Sequence, residues 1–328
     1  MVPASMHPAS YTVVDFHIQA SEAQPLFLNN RGTVVGRGTP NATQFGPLVM
    51  FIIRGGKETV FPPDVVRAAG LNNADQVALE TRTGVERWSP SGQSMRILAG
   101  KSQLTPAGID SRGELVWISA FQSSTFSVRG WPWPWNAPDR SDLIPTIIGA
   151  DGTFCATKRI GDVPAPGPPP SPGSYYFDGK QYLPIGGPPN LLQALCISPN
   201  DWIGGTGNGG TTPFLWRKGK VTILPVHAGG KSQALVKGVN SSGVAVGYAN
   251  WEEPIPNGET QRVHAVMWNQ GKMIDLNDLI PSTFPYELDE AVAINDSGQI
   301  LATAEVKDPA HFLRPTLVLL NPNIVPVG

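Results

Sequence analysis

The sequence predicts an all-β fold, a seven-bladed β-propeller of four-stranded antiparallel blades. Three observations carry this: a recurring turn motif, apolar runs too short for helices, and heavy use of turn residues. Gly 36 and Pro 33 form about a fifth of the 328 residues, whereas charged residues make up only 15%. No segment keeps a 3.6-residue apolar period over three or four turns. The apolar runs are β-branched or aromatic and end at Gly, Asn, Asp or Pro, which reads as short strands.

The repeat is plainest in AVAINDSGQILATA, from Ala291, and LVKGVNSSGVAVGYA, from Leu235. Each has an apolar residue, a polar turn, a Gly and a second strand ending in small residues. Anchoring on the apolar residue before the turn gives Leu28, Leu71, Ile109, Ile148, Ile197, Val239 and Ile294. Four positions after each anchor stands Gly or Asp, the residues that tolerate a positive φ in a tight hairpin. Small residues precede the anchors, as at Ala68, Ala69 and Gly70, and suit a strand crowded against a central axis. A second motif follows in nearly every unit: an apolar strand often ending in Trp, a Gly-Lys or Gly-Gln turn, and another short strand. PFLWRKGKVTIL, from Pro213, and AVMWNQGKMIDL, from Ala265, are examples. Each unit is thus a four-stranded meander, the blade of a propeller.

Ala291, Ile294, Asn295, Asp296 and Gly298, with His264, Ala265, Trp268, Gly271, Asp275 and Leu276, resemble the HAF repeat of bacterial, usually exported, propeller-like proteins. The resemblance spans most of the chain and is strongest from about 192 to 304. It implies architecture and an extracellular or periplasmic location, and no activity. The unit after Phe126 lacks the Trp-Gly-Lys motif, so its outer strands, about 119–144, are left unassigned.

Residues 1–10 read as a flexible N-terminus and 11–328 as one domain. YTVVDF, about 11–16, is an orphan strand, and PTLVLLN, about 315–321, serves the last unit, which lacks an outermost strand. Pairing them closes the ring and leaves no missing strand.

In such a meander the turns between strands one and two and between three and four share one face. They are short throughout. The opposite face receives the long segments from Gly38, Arg129, Gly161, Asn250 and Asp278, where binding residues on a rigid scaffold concentrate. Trp131, Trp133 and Trp135 lie there in WPWPW, and their rings suit stacking on a sugar or filling a partner's pocket. They equally suit plugging the channel mouth. Trp251 and Tyr286 lie in the same set of segments. Glu287, Asp289 and Glu290, with Glu252, Glu253 and Glu259, outline an acidic rim suited to acid/base work or to ordinary solvation. His17 and His227 are the histidines nearest this face, and His264 reads as a structural residue of the repeat.

Several classes are excluded. No HExxH or His-x-His spacing occurs, so no metal or cofactor is expected. Cys155 and Cys196 read as buried free thiols. Gly100-Lys101-Ser102 and Gly230-Lys231-Ser232 lack the upstream Gly of a phosphate loop, and no G-x-S-x-G elbow is present. A net charge of −2 with signs interspersed speaks against nucleic acid. The N-terminal residues show no signal-peptide pattern, and no 18-residue apolar run suggests membrane insertion. Without a signal, a cytoplasmic location also stays open. The reading is a non-catalytic binding propeller presenting its long-loop face to a protein or glycan. The alternatives are an extracytoplasmic carbohydrate-active hydrolase or lyase at the channel mouth, and a structural subunit of a larger assembly.

Overall fold

The structure, a computed structural model, describes residues 10–20, 26–39, 48–92, 94–98, 103–121, 125–131, 143–149, 152–158, 174–186, 192–227, 233–255, 258–306 and 315–323. The chain opens with β1 (Tyr11–Ala20), β2 (Phe27–Leu28), β3 (Val34–Thr39), β4 (Val49–Arg54) and β5 (Lys57–Val60). A four-stranded sheet follows, of β6 (Val65–Leu71), β7 (Val77–Thr81), β8 (Gly84–Trp88) and β9 (Met95–Leu98). Next comes a three-stranded sheet, of β10 (Gln103–Ile109), β11 (Leu115–Phe121) and β12 (Thr125–Trp131). Three more four-stranded sheets come after it. The first holds β13 (Leu143–Ile148), β14 (Phe154–Lys158), β15 (Ser174–Phe177) and β16 (Tyr182–Ile185). The second holds β17 (Leu192–Ile197), β18 (Ile203–Gly207), β19 (Thr212–Arg217) and β20 (Lys220–Ile223). The third holds β21 (Ala234–Val239), β22 (Ala245–Ile255), β23 (Gly258–Asn269) and β24 (Lys272–Asp275). The chain ends with β25 (Tyr286–Ile294), β26 (Ile300–Val306) and β27 (Thr316–Pro322).

This is an all-β propeller, but the expected count of seven blades is corrected to six. β1 pairs antiparallel with β27 from Tyr11↔Pro322 to Asp15↔Val318, then with β3 at Gln19↔Thr39 and Ala20↔Gly38. One eight-stranded sheet, β25-β26-β27-β1-β3-β4-β5 with β2 on β3, therefore replaces the separate first and last blades. The cause is a bulge between Asp15 and Gln19. There Asp15 Oδ1 accepts from the His17 N–H at 2.7 Å and His17 takes φ +54°. The strand is longer than the 11–16 expected, and its second half crosses to the next meander. Four-stranded antiparallel blades fit the remaining sheets, with three strands described in the β10–β12 sheet.

The anchors keep their place. Each closes an inner strand, and the residue four positions on has positive φ in all seven turns, from Asp75 and Asp201 at +60° to Gly113 at +83°.

The residue after the anchor links neighbouring turns. Asn295 Nδ2 donates to Asn29 O at 3.0 Å, Asn29 Nδ2 to Asn72 O at 2.9 Å, and Asn72 Nδ2 to Asp110 O at 2.9 Å. Asn240 Nδ2 reaches Asn295 O at 3.4 Å. The same side chains accept turn amides through Oδ1, as Asn295 does from Ser297 and Gln299. The chain of amides stops at Asp110, because a carboxylate has no hydrogen to donate, and Gly149 offers no side chain. Ser198 turns its hydroxyl back to the Trp202 amide.

The second motif joins sheets farther out. Trp268, 1% exposed, donates Nε1–H to Pro225 O at 2.8 Å in the preceding sheet. His264 Nδ1 lies 2.5 Å from Asp275 Oδ2 across the β23–β24 hairpin. Burial alone would raise the Asp275 carboxyl, but hydrogen bonds from His264 and the Asn277 backbone hold it below its usual range. Asn277 then exchanges two hydrogen bonds with the Leu288 backbone of β25. The small residues before the anchors have a packing reason, for a Cβ on Gly238 would stand 2.9 Å from Ala293 Cα of the next inner strand. Cys155 and Cys196 are buried free thiols whose burial pushes their titration up.

Candidate functional site

The inner strands surround a central channel: β2 and β25, both from the merged eight-stranded sheet, and β6, β10, β13, β17 and β21, one from each of the others. The anchors border two cavities, one on each side of them. On the short-turn side is a cavity of about 170 Å³, walled by turn residues such as Asn30, Asn73, Ser198 and Asp296. On the opposite side is one of about 710 Å³. Its floor is the apolar layer of anchors. The residue two before each anchor forms the next tier, apolar on five strands and polar at Thr146 and Lys237. Arg67, Thr105 and Glu290, four before their anchors, stand nearer the mouth.

The polar groups are held in place by their neighbours. Arg67 Nε lies 3.1 Å from Glu80 Oε2 on β7, and its Nη2 donates to Pro106 O of β10 at 3.3 Å. Lys237 Nζ lies 2.9 Å from Glu290 Oε1 and 5.9 Å above the Tyr248 ring. Burial raises the Tyr248 hydroxyl, with the Lys237 charge opposing. Thr146 Oγ1 donates to Cys155 O at 3.2 Å, and Thr303 Oγ1 to Glu290 O at 3.4 Å. Among the described residues that line this cavity, the charged ones are Arg67, Lys237 and Glu290, which leaves one net positive charge.

Of the described residues read from sequence as site candidates, Glu290 alone lines the cavity. Glu287, Asp289 and Glu290 are not in a loop before the inner strand but inside it, on β25. Glu287 turns to the preceding sheet, 3.4 Å from Arg262 Nη1 and 3.0 Å from His264 Nε2. Asp289 sits at the bulge between Leu288 and Glu290, and burial pushes its carboxyl up to about 7. The charges of Glu305 and Glu290 add to that, and a hydrogen bond from Thr303 opposes it. Tyr286 is half-buried with its ring 5.3 Å from Phe284.

His17 is exposed on β1, 3.4 Å from Asp15, while His227 is exposed beyond β20 of another sheet. Neither reaches the cavity. Trp131 ends β12 rather than lying in a loop, and Trp133 and Trp135 fall outside the described residues. Trp251, Glu252, Glu253 and Glu259 belong to a regular hairpin, with Trp251↔Arg262 and Glu253↔Thr260 in register, where a loop was expected.

Arg67, Thr105 and Lys237 escaped the sequence reading because their strands looked like scaffold. The signal was there: VVRAAGL and ALVKGV each carry one cation in a strand otherwise small or apolar. Among the described residues no cluster of three or more His, Cys, Asp or Glu is placed to hold a metal ion. No described helix is long and apolar enough to cross a membrane.

No family model matches the chain, and no curated protein matches it. Solved structures do. A catalytically inactive virginiamycin B lyase from Staphylococcus aureus, solved with quinupristin, superposes with a TM-score of 0.51 at 9% identity, over 95% of this chain and 99% of that one. A Mycobacterium tuberculosis puromycin-hydrolyzing peptidase gives 0.53 at 11% identity, over 96% of this chain and 55% of its own. A Pyrococcus horikoshii acylaminoacyl peptidase gives 0.51 at 9%, over 90% and 50%. At these identities the likeness is one of fold, and what it establishes is that the chain is a β-propeller.

Proposed function

We propose that this protein is a binding propeller whose ligand enters the channel from the mouth lined by Arg67, Lys237 and Glu290. The observation that supports the reading is the cavity of about 710 Å³. Its size, its apolar floor and its few convergent polar groups are those of small-molecule sites. The resemblance of the repeat to HAF-type proteins, usually exported, supports a place outside the cytoplasm. Leu195, two before its anchor, is on the cavity wall. Leu195→Trp narrows the cavity while keeping Arg67, Lys237 and Glu290 unsubstituted. A thermal-shift screen of small molecules is expected to yield ligands that stabilise the wild type and not this variant. The combined variant Trp131→Ala, Trp133→Ala and Trp135→Ala is expected to keep those shifts. The reverse pattern supports the broader interaction reading, in which the Trp segment holds a protein or glycan.

A second reading, hydrolase or lyase chemistry, is favoured by one feature. Asp289 is a buried carboxyl raised to about 7 beside the cavity-lining Glu290 and Thr303, the range for a general acid or base. The lyase and peptidase activities themselves belong to the structural neighbours. Turnover that Asp289→Asn abolishes while ligand affinity persists would select this reading.

A further inference from the structure

We infer that the ligand of this cavity is an amphipathic monocarboxylate, its acid group on Arg67 and Thr105 and its apolar body on the layer of anchors. This rests on the cavity being the binding site. Arg67 spends Nε on Glu80 and Nη2 on Pro106 O, so both hydrogens of Nη1 remain without a partner among the described residues. The carbonyl that holds Nη2 belongs to the residue after Thr105, which brings the guanidinium to the Thr105 strand. Both residues line the cavity, and the Thr105 hydroxyl has no partner among the described residues. A guanidinium N–H and a hydroxyl on two strands tied by the bond to Pro106 O, both lining one cavity, supply two donors suited to a carboxylate.

Charge points the same way. The described lining carries one net positive charge, and the one carboxylate in it, Glu290, is taken up by Lys237 at 2.9 Å. An anion therefore meets at Arg67 a guanidinium whose ion-pair partner Glu80 stands outside the cavity lining, whereas a cationic ligand must displace Lys237 from Glu290 within it. Below these donors the wall turns apolar at once, through Ala69 and Ala107 to Leu71 and Ile109. A second charged group on the ligand would find no partner there, and burying it unpaired is costly.

The test is calorimetric titration of the full chain with decanoate, decanol and decyltrimethylammonium, each below its micelle concentration. Decanoate is expected to bind the wild type at least about tenfold more tightly than the other two. Arg67→Gln is expected to bring decanoate to the level of decanol and leave decanol unchanged. If that variant does not fold, Thr105→Val is expected to weaken decanoate severalfold and leave decanol as it was. Equal affinity for decanoate and decanol, no binding of any probe to the wild type, or an Arg67→Gln variant with undiminished preference for decanoate overturns the carboxylate assignment. Leu195→Trp separates the two levels. Probes that bind it as they bind the wild type lie outside the cavity, and the underlying site reading falls.

Discussion

Replacing Asn295 by alanine removes one link from the chain of amides that joins neighbouring turns. The residue is 3% exposed, and its side chain makes four hydrogen bonds, to Asn29 O, Gln299 Oε1 and the Ser297 and Gln299 amides. Each is worth about 1 kcal/mol net. The full sum overstates the loss, because Asn29 O keeps the Gly32 N–H at 3.1 Å and water reaches the exposed Ser297. A cost of about 2–3 kcal/mol remains, and for a chain of this size it lowers the melting temperature by roughly 3–5 °C. Circular-dichroism melts with parallel urea titration read both. Asn295→Asp, which keeps the acceptor and loses both donors, is expected to fall between. Asn73, exposed and accepting one bond from the Asn30 amide at 2.9 Å, is the control. An Asn295→Ala shift no larger than that of Asn73→Ala would refute the linking role.

Three further outcomes are expected. The Asp289 carboxyl rises from 3.8 unfolded to about 7 folded, so the native state retains a proton that the unfolded state has released. Stability then falls as pH rises from about 4 to 7, by up to ~4 kcal/mol, less whatever partial solvent access restores. Asp289→Asn should be more stable than the wild type above pH 7 by a margin that shrinks towards pH 4; a margin constant with pH excludes this. Trp268→Phe, losing the 2.8 Å bond to Pro225 O, should lower stability by about 1–2 kcal/mol, with an unchanged urea midpoint as the contrary result. Cys155 and Cys196 should resist a thiol reagent in the native protein and both react in denaturant. Rapid native labelling would mean that their sheets open easily.

The turns were the most legible part of the sequence, because a positive φ recurs four residues after every anchor and Gly or Asp fills it each time. Asn295 and Asp275 were visible as motif letters, and the structure gives them a mechanical meaning, Asn295 as a link between neighbouring turns and Asp275 as the carboxylate that holds His264 and Asn277. The blade count was less legible. It turned on Asp15 and His17, where one side-chain hydrogen bond sets a bulge that sends β1 to a second partner. No periodic pattern encodes that. The cavity lining was less legible for a related reason. Long segments on a rigid scaffold direct attention to Glu287, His17 and the tryptophans. Arg67 and Lys237 sit in short strands that face the axis, and a strand pattern alone does not distinguish a wall that packs from a wall that encloses space.

The pairing of β1 with β27 has a consequence during synthesis. Asn323 N–H bonds to Ser10 O at 2.9 Å, so the first described residue and the last meet in one ladder. At ribosomal rates of roughly 5–20 residues per second, β1 waits about 15–60 s for its partner to be made. Through that interval Val13 and Val14 belong to an unpaired edge, open to whatever strand the cell offers. The finished ring is thus secured last at a strand that is made long before its partner.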